Sequence, residues 1–312
     1  MNTPTQAPAA GSGDATPDEP GAARAAEETA DDLKADCIAD SAGGLTFDLN
    51  APQGAHTAWS AALVLRRRGD AVDDEVRLPL GPNGAGRLRA VLPSTVALDE
   101  GRWNVYADLG DGRAPRRLLP GVNDLRSLVD RRPLAGIGRL GVRIPYTTKL
   151  GTMALRSWLR GPHAEAGDLL VQPDGMTVSG RLYGAAPGPG AQAEARARRA
   201  AQDGGPRATV TVPLTVEGAD FTFTLPYAEP AGHWRRGTEP WDLWLRPAEG
   251  ARPVRIARLL DDVHDKKQVF TYPALPVAAA AGELRVGPYY TLDNDLALRV
   301  AGPAGADGDA GA

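Results

Sequence analysis

Short runs of alternating apolar and polar residues recur along almost the whole chain. GLTFDL, AALVLRR, EVRLPL, RLRAVLP, RWNVYADL and ALRSWL each carry apolar side chains at every second position, the period of a strand with one buried face. FTFTLPY, from Phe221 to Tyr227, adds β-branched and aromatic residues to the same period. Gly, Pro, Asn and Asp cluster between these runs, where a chain reversing direction needs them. GPNGAG, from Gly81 to Gly86, falls between two such runs and predicts a hairpin turn. Turn signals roughly every ten residues predict an all-β chain of the sandwich type. GVNDLRSLVD, Gly121 to Asp130, predicts one short helical turn with Asn123 as its cap.

The pattern is written twice. Trp103 corresponds to Trp241, Gly112 to Gly250, Pro115 to Pro253 and Asp124 to Asp262, all at one spacing (241 − 103 = 138). Upstream the spacing shortens, to 134 between Pro79 and Pro213 and 133 between Pro93 and Pro226. Downstream it lengthens to 143, between Pro145 and Pro288 and between Arg156 and Arg299. A drift in small steps places insertions in loops between fixed elements. A unit of this length is a whole domain rather than a solenoid turn. The chain therefore predicts two tandem immunoglobulin-like β-sandwich domains, residues 37–160 and 161–301, of about seven strands each. AQAEARARRAAQDGG, Ala191 to Gly205, is rich in helix formers. The repeat sets it opposite WSAALVLRRRGD, and a strand is predicted there.

Composition changes the picture at the two ends. Residues 1–36 are Pro-, Ala- and acid-rich, with eight acids against two bases, and 302–312 carry two acids. Neither stretch has the apolar side chains to offset its ordering entropy, and both are read as disordered tails. The whole chain carries −4 and the tails −6 and −2, which leaves about +4 for the body. That is too little for a nucleic-acid surface. Only four of the 35 basic residues are Lys, and the Arg, Ala, Gly and Pro bias suggests a high-GC, actinobacterial source. Cys37 is the one cysteine, which excludes a disulfide framework and a cysteine metal site. No secretory signal and no apolar stretch of spanning length is evident, so a cytoplasmic protein is expected. No cofactor and no metal is expected.

Candidate chemistry is sparse. His56, His163, His233 and His264 lack metal-ligand spacing and read as loop or surface residues. LLDDVHDKK, Leu259 to Lys267, is the densest charge cluster. Asp261, Asp262, His264, Asp265, Lys266 and Lys267 could hold a metal or position a sugar hydroxyl, or could form a solvated inter-strand linker; in an enzyme, His264, Asp261, Asp262 and Lys266 are the candidate catalysts, with His233 and Arg235. PAGHWRRGTEP carries His233, Trp234, Arg235 and Arg236, an aromatic beside guanidinium groups that could stack a sugar and pair with phosphate, or an ordinary exposed loop. TLDNDL, Thr291 to Leu296, reads as an acidic β-turn rather than a calcium loop. Trp103 and Trp241 recur, and Tyr106 faces Trp244, so these four predict core positions. Trp59, Trp158 and Trp234 do not recur as Trp.

GVNDLRSLVD with RLGVRIPYTTKLGTMALRSWLR, and VRIARLLDD with DKKQVFTYP and PYYTLDNDLALRV, resemble a group of actinobacterial proteins commonly labelled transferases. The resemblance spans about Cys37 to Val300. The tandem β-domains are also similar to the immunoglobulin-like C-terminal modules of teichoic-acid glycosyltransferases. The likeness implies oligomerisation or polymer contact rather than chemistry. A repeated all-β body without a shared polar constellation adds the expectation of a non-catalytic accessory of cell-envelope glycosyl- or glycerophosphotransferases, binding such an enzyme or its polymer product and peripheral to the membrane through that partner. The alternative is a transferase acting on an envelope glycopolymer. DND at Asp293 to Asp295 has the spelling of a glycosyltransferase metal motif, but it falls in a terminal hairpin, and the role is not transferred.

Overall fold

The computed structural model describes residues 33–50, 59–69, 74–84, 86–133, 138–199 and 206–302. From Leu33 onward the chain forms one compact unit. It is almost entirely β. In the first half the strands are β1 (Lys34–Ala39), β2 (Leu45–Asn50), β3 (Ala62–Arg67), β4 (Glu75–Pro79), β5 (Gly81–Pro82), β6 (Arg87–Leu92), β7 (Gly101–Asp108), β8 (Arg116–Arg117), β9 (Leu119–Asp124), β10 (Leu140–Thr147) and β11 (Met153–Arg160). The second half has β12 (His163–Gln172), β13 (Gly175–Tyr183), β14 (Gln192–Ala197), β15 (Thr209–Pro213), β16 (Thr215–Glu217), β17 (Asp220–Pro226), β18 (Thr238–Arg246), β19 (Val254–Ala257), β20 (Leu275–Ala279), β21 (Gly282–Tyr290) and β22 (Leu296–Ala301). Two short helices, α1 (Ala228–Gly232) and α2 (Lys266–Val269), interrupt the second half.

Each alternating run named above forms a strand. The repeat also wins over composition at β14. Ala193 and Ala195 are buried there between Val212 and Val210 of β15 and Leu245 and Leu243 of β18, so tertiary packing overrides a weak helix preference. Asn123 is not a cap. It lies in β9, paired beside Cys37 of β1, and the following 3-10 turn Arg126–Leu128 is preceded by Leu125, with no side-chain cap. The strand β1 includes Lys34 to Asp36, which composition assigns to the tail. Residues 1–32 and 303–312, the rest of both tails, and His56 lie outside the described residues.

The pairing scheme itself repeats. In the first half β1 pairs β2, β2 pairs β6, β3 pairs β4 and β7, and β7 and β10 both pair β11. In the second half β12 pairs β13, β13 pairs β17, β14 pairs β15 and β18, and β18 and β21 both pair β22. One segment in each half changes sheets. In the first it is broken in two, β8 on β7 and β9 parallel to β1. In the second a single strand, β19, pairs β18 antiparallel and β12 parallel, joining both layers into one continuous sheet.

Inward positions of each half build a separate hydrophobic cluster. The first contains Phe47, Leu63, Leu65, Trp103 and Trp158; the second contains Phe221, Tyr227, Trp241, Leu243 and Tyr290. Ala257 and Leu259, although in the second half, pack into the first cluster. The turn Thr291–Asp295 ties the halves further. Asp293 accepts from the Arg156 guanidinium at 2.5 Å and, through its carbonyl, from the Trp158 indole N–H at 3.1 Å. Asp295 accepts from Arg160 at 2.7 Å.

That turn has its counterpart in Thr148–Thr152. Gly151 and Asn294 occupy the same place with φ of +75° and +60°, the left-handed region that Gly and, less readily, Asn adopt. The two turns close with the same backbone bonds, Thr148 N–H to Thr152 and Gly151 N–H to Thr148, against Thr291 N–H to Asp295 and Asn294 N–H to Thr291.

Candidate functional site

The polar residues nominated by sequence do not converge on one point. Lys266 is completely buried at the start of α2, donating to the Asp261 carboxylate and to the Val263 carbonyl. Asp261 also accepts the Val263 N–H at 2.9 Å. This pair fastens the loop between β19 and β20, which is therefore not a solvated linker. Asp262 is exposed. His264 is half-buried, its ring stacked on Tyr146 at 4.4 Å and 10° between planes. His163 departs from the surface reading. It is fully buried in β12, with Nε2 2.6 Å from Glu165, and Glu165 in turn accepts the N–H groups of Leu259 and Leu260 at 2.9 Å.

The loop carrying His233, Trp234, Arg235 and Arg236 is organised from within. The Trp234 indole N–H donates to the Gly237 carbonyl at 2.9 Å. The backbone N–H groups of Arg235 and Arg236 both donate to the buried carboxylate of Glu239, at 3.1 and 3.3 Å. The side chains of His233, Arg235 and Arg236 are exposed.

A groove of about 760 Å³ opens where the outer face of the first half meets the second. Alternation along β7 sends Trp103, Val105 and Ala107 inward and leaves Arg102, Asn104 and Tyr106 on the outer face. These three form the floor. Arg68 follows β3, Arg117 stands on β8, Tyr146 lies near the end of β10, and Lys149, Leu150 and Thr152 come from the turn. His264, Asp265 and Leu292 close the far side. Tyr106 is thus not a core residue. Its ring stands between two arginines, Arg66 from β3 at 5.0 Å and Arg117 from β8 at 5.1 Å.

The second half repeats this arrangement. Trp244 on β18, like Tyr106 not a core residue, stands between Arg196 from β14 and Arg255 from β19, each 5.1 Å from the ring centre. The register makes the positions equivalent. Tyr106 is opposite Val64 and Arg117, and Arg66 opposite Asn104; Trp244 is opposite Glu194 and Arg255, and Arg196 opposite Asp242. A second groove of about 700 Å³ lies over this site, lined by Arg198, Asp242, Trp244, Arg255, Tyr289 and Asp295 among others. Leu292 borders both grooves, so they adjoin.

The two grooves differ in charge. Five cationic side chains line the first, Arg68, Arg102, Arg117, Lys149 and Arg156, against one carboxylate, Asp265. Two of the guanidiniums are held by neutral acceptors, Arg68 by Asn104 at 2.6 Å and Arg117 by Thr152 at 2.5 Å. In the second groove the equivalents of Asn104 and Thr152 are Asp242 and Asp295. Asp242 binds Arg198 at 2.7 Å and Arg255 at 2.8 Å, and Asp295 binds Arg255 at 3.3 Å. Among the described residues, no group of three or more His, Cys, Asp or Glu is placed to hold a metal.

Burial pushes the His264 imidazole below the ordinary histidine value of 6.5, with Lys266 and Arg102 reinforcing and Asp265 opposing. A lowered pKa means that the unfolded chain binds more protons than the folded one, so stability rises with pH across the window just below 6.5. His264→Gln is expected to flatten that part of a stability–pH curve. The lowered carboxylates Asp48, Glu75, Asp108 and Glu194 act further into acid. Urea unfolding at a series of pH values checks this, and an unchanged slope would refute it.

Sequence reading missed the arginine–ring–arginine sites, although the signal was present. Arg117 and Arg255 stand 138 residues apart, like Tyr106 and Trp244. Tyr106 also lies an odd number of residues from Trp103, which puts it on the opposite face of a strand.

No protein-family model matches the chain, and no curated protein matches it. Two solved structures of S. aureus TarS are similar at 12% identity, with TM-scores of 0.27 and 0.26. Each covers 63% of this chain, and the chain spans 35% of one and 55% of the other, the latter comprising residues 217–571 of TarS. No helix among the described residues is long and apolar enough to cross a membrane.

Proposed function

We propose that this chain is a non-catalytic binding protein, two tandem immunoglobulin-like sandwiches that serve the glycosyl- or glycerophosphotransferases of a teichoic-acid-type envelope polymer. The observation that carries the reading is the recurrence of one aromatic–arginine site in both halves, each beneath an open groove, with the grooves adjoining at Leu292. Adjacent equivalent sites suit a ligand made of repeating units, since engaging the second becomes intramolecular once the first is bound. The protein would act in the cytoplasm and reach the membrane through its partner enzyme.

Electrophoresis in native gels cast with purified teichoic-acid-type polymer is expected to retard the chain, and incubation with nucleotide-sugar and nucleotide-glycerol donors to yield no transfer. Unretarded migration, or transfer by the purified chain alone, would overturn the reading. One observation favours the transferase alternative: His264 stands in the first groove beside Asp265, with a lowered pKa that favours the neutral imidazole a general base requires. In that case His264→Ala must abolish turnover.

A further inference from the structure

We infer that the first groove is a phosphate-binding site, and that its repeat equivalent in the second half has the same framework with its anion-binding capacity cancelled by its own carboxylates. The inference deepens the polymer-binding reading and rests on it for the identity of the ligand, but its chemistry is carried by a comparison internal to the chain.

The comparison is position by position. Arg68, Tyr106, Arg117, Tyr146 and Thr148 of the first groove become Arg198, Trp244, Arg255, Tyr289 and Thr291 of the second. Cation, ring and hydroxyl are retained at these places. What changes is the partner of each guanidinium. Asn104 and Thr152 orient Arg68 and Arg117 through neutral oxygens, which fixes the donors without spending their charge. Asp242 and Asp295 at the same places form ion pairs with Arg198 and Arg255. Leu150 likewise becomes Asp293, so the second groove sets three carboxylates against Arg198, Arg255 and Lys267.

The first groove keeps its positive field. The side chains of Arg102 and Lys149 line it and have no hydrogen bond or ion pair among the described residues; Arg102 bonds only through its backbone. Arg156 is the exception, since its guanidinium is already paired with Asp293. Planar guanidiniums present paired donors that match phosphate oxygens, and a lysine adds a mobile point charge. Packing Arg117 against Tyr106 holds one such fork in place, so little side-chain freedom is lost when an anion arrives. A phosphodiester fits this site by charge, and a neutral sugar does not require it. The second groove, with donors and carboxylates in balance, suits the hydroxyls of an uncharged stretch.

Calorimetric titration of the full chain with inorganic pyrophosphate tests the assignment. Binding is expected for the wild type, weakening as sodium chloride is raised. Asn104→Asp with Thr152→Asp gives the first groove the carboxylates the second already tolerates, and is expected to weaken binding at least about tenfold. Asp242→Asn is expected to leave it no weaker. Should the double variant fail to fold, Arg102→Ala with Lys149→Ala removes two cations that hold no structural bond, with the same weakening expected.

Pyrophosphate binding unchanged in a folded Asn104→Asp/Thr152→Asp or Arg102→Ala/Lys149→Ala variant would overturn the site. So would a wild type that ignores pyrophosphate; if its migration is still retarded by the polymer, the binding reading survives without the phosphate site. If both fail, both fall. Titration with a glycerol-phosphate oligomer beside cytidine diphosphate then separates polymer phosphate from nucleotide phosphate as the source.

Discussion

Asp261→Ala is expected to destabilise the protein by about 3–5 kcal/mol, the usual cost of removing one member of a buried ion pair. Lys266 is completely buried, and its ammonium group has two partners, the Asp261 carboxylate and the Val263 carbonyl. Burial pushes the Lys266 pKa down, and Asp261 pushes it back up. Without the acid, a charged amine remains in a site that one carbonyl cannot satisfy. Asp261 also holds the Val263 N–H and approaches Arg258 at 3.4 Å, so the loop loosens at several points.

The variant should also gain stability as pH rises. Its folded Lys266 pKa would fall further below the unfolded value, and the unfolded chain then binds the extra proton throughout that window. Lys266→Met in the Asp261→Ala background should recover much of the loss, since a well-packed apolar side chain needs no counter-charge. Urea denaturation measures all three proteins. A single variant within about 1 kcal/mol of wild type would show that the pair contributes little.

The second large effect is expected at Trp158. Trp158→Ala should cost about 3–5 kcal/mol, as deletion of a buried large aromatic does. The side chain is fully buried in the first cluster, with the Arg156 guanidinium 4.8 Å from its ring. Its indole N–H also satisfies the Asp293 carbonyl across the junction between the halves. Trp158→Phe keeps much of the volume and forfeits the hydrogen bond, so an intermediate loss is expected. Chemical denaturation read by circular dichroism distinguishes the three. Equal stability of the Ala and Phe variants would mean that packing volume is not what Trp158 supplies.

Trp158 also shows what repetition can and cannot identify. Comparing the two halves of the sequence picks out what both share, and it found the strands, the turns and the core tryptophans Trp103 and Trp241. It passes over anything present once. Trp158 faces a joint that exists only between the copies, and nothing in its own repeat partner marks it. Lys266 was legible as a charge but not as a buried one, because its place is set by contacts distant in sequence, among them Asn294, whose side chain accepts the Lys266 backbone N–H at 3.0 Å from 28 residues away. The grooves were legible in principle through strand parity. Their difference in charge balance was not, because it follows from which acceptor each arginine meets in the register between strands.

The turn Thr291–Asp295 carries a constraint of a different kind. Its counterpart in the first half, Thr148–Thr152, ends in a neutral Thr and lies at the first groove. In the second half the same turn holds Arg156 and Arg160 of the other copy. The two halves are therefore coupled through this turn. A change at Arg156 is felt at Asp293, and one at Arg160 at Asp295, so a substitution on one side alters an ion pair of the other half. Asp293 and Asp295 both close the joint and stand in the second groove, so replacing either changes both at once.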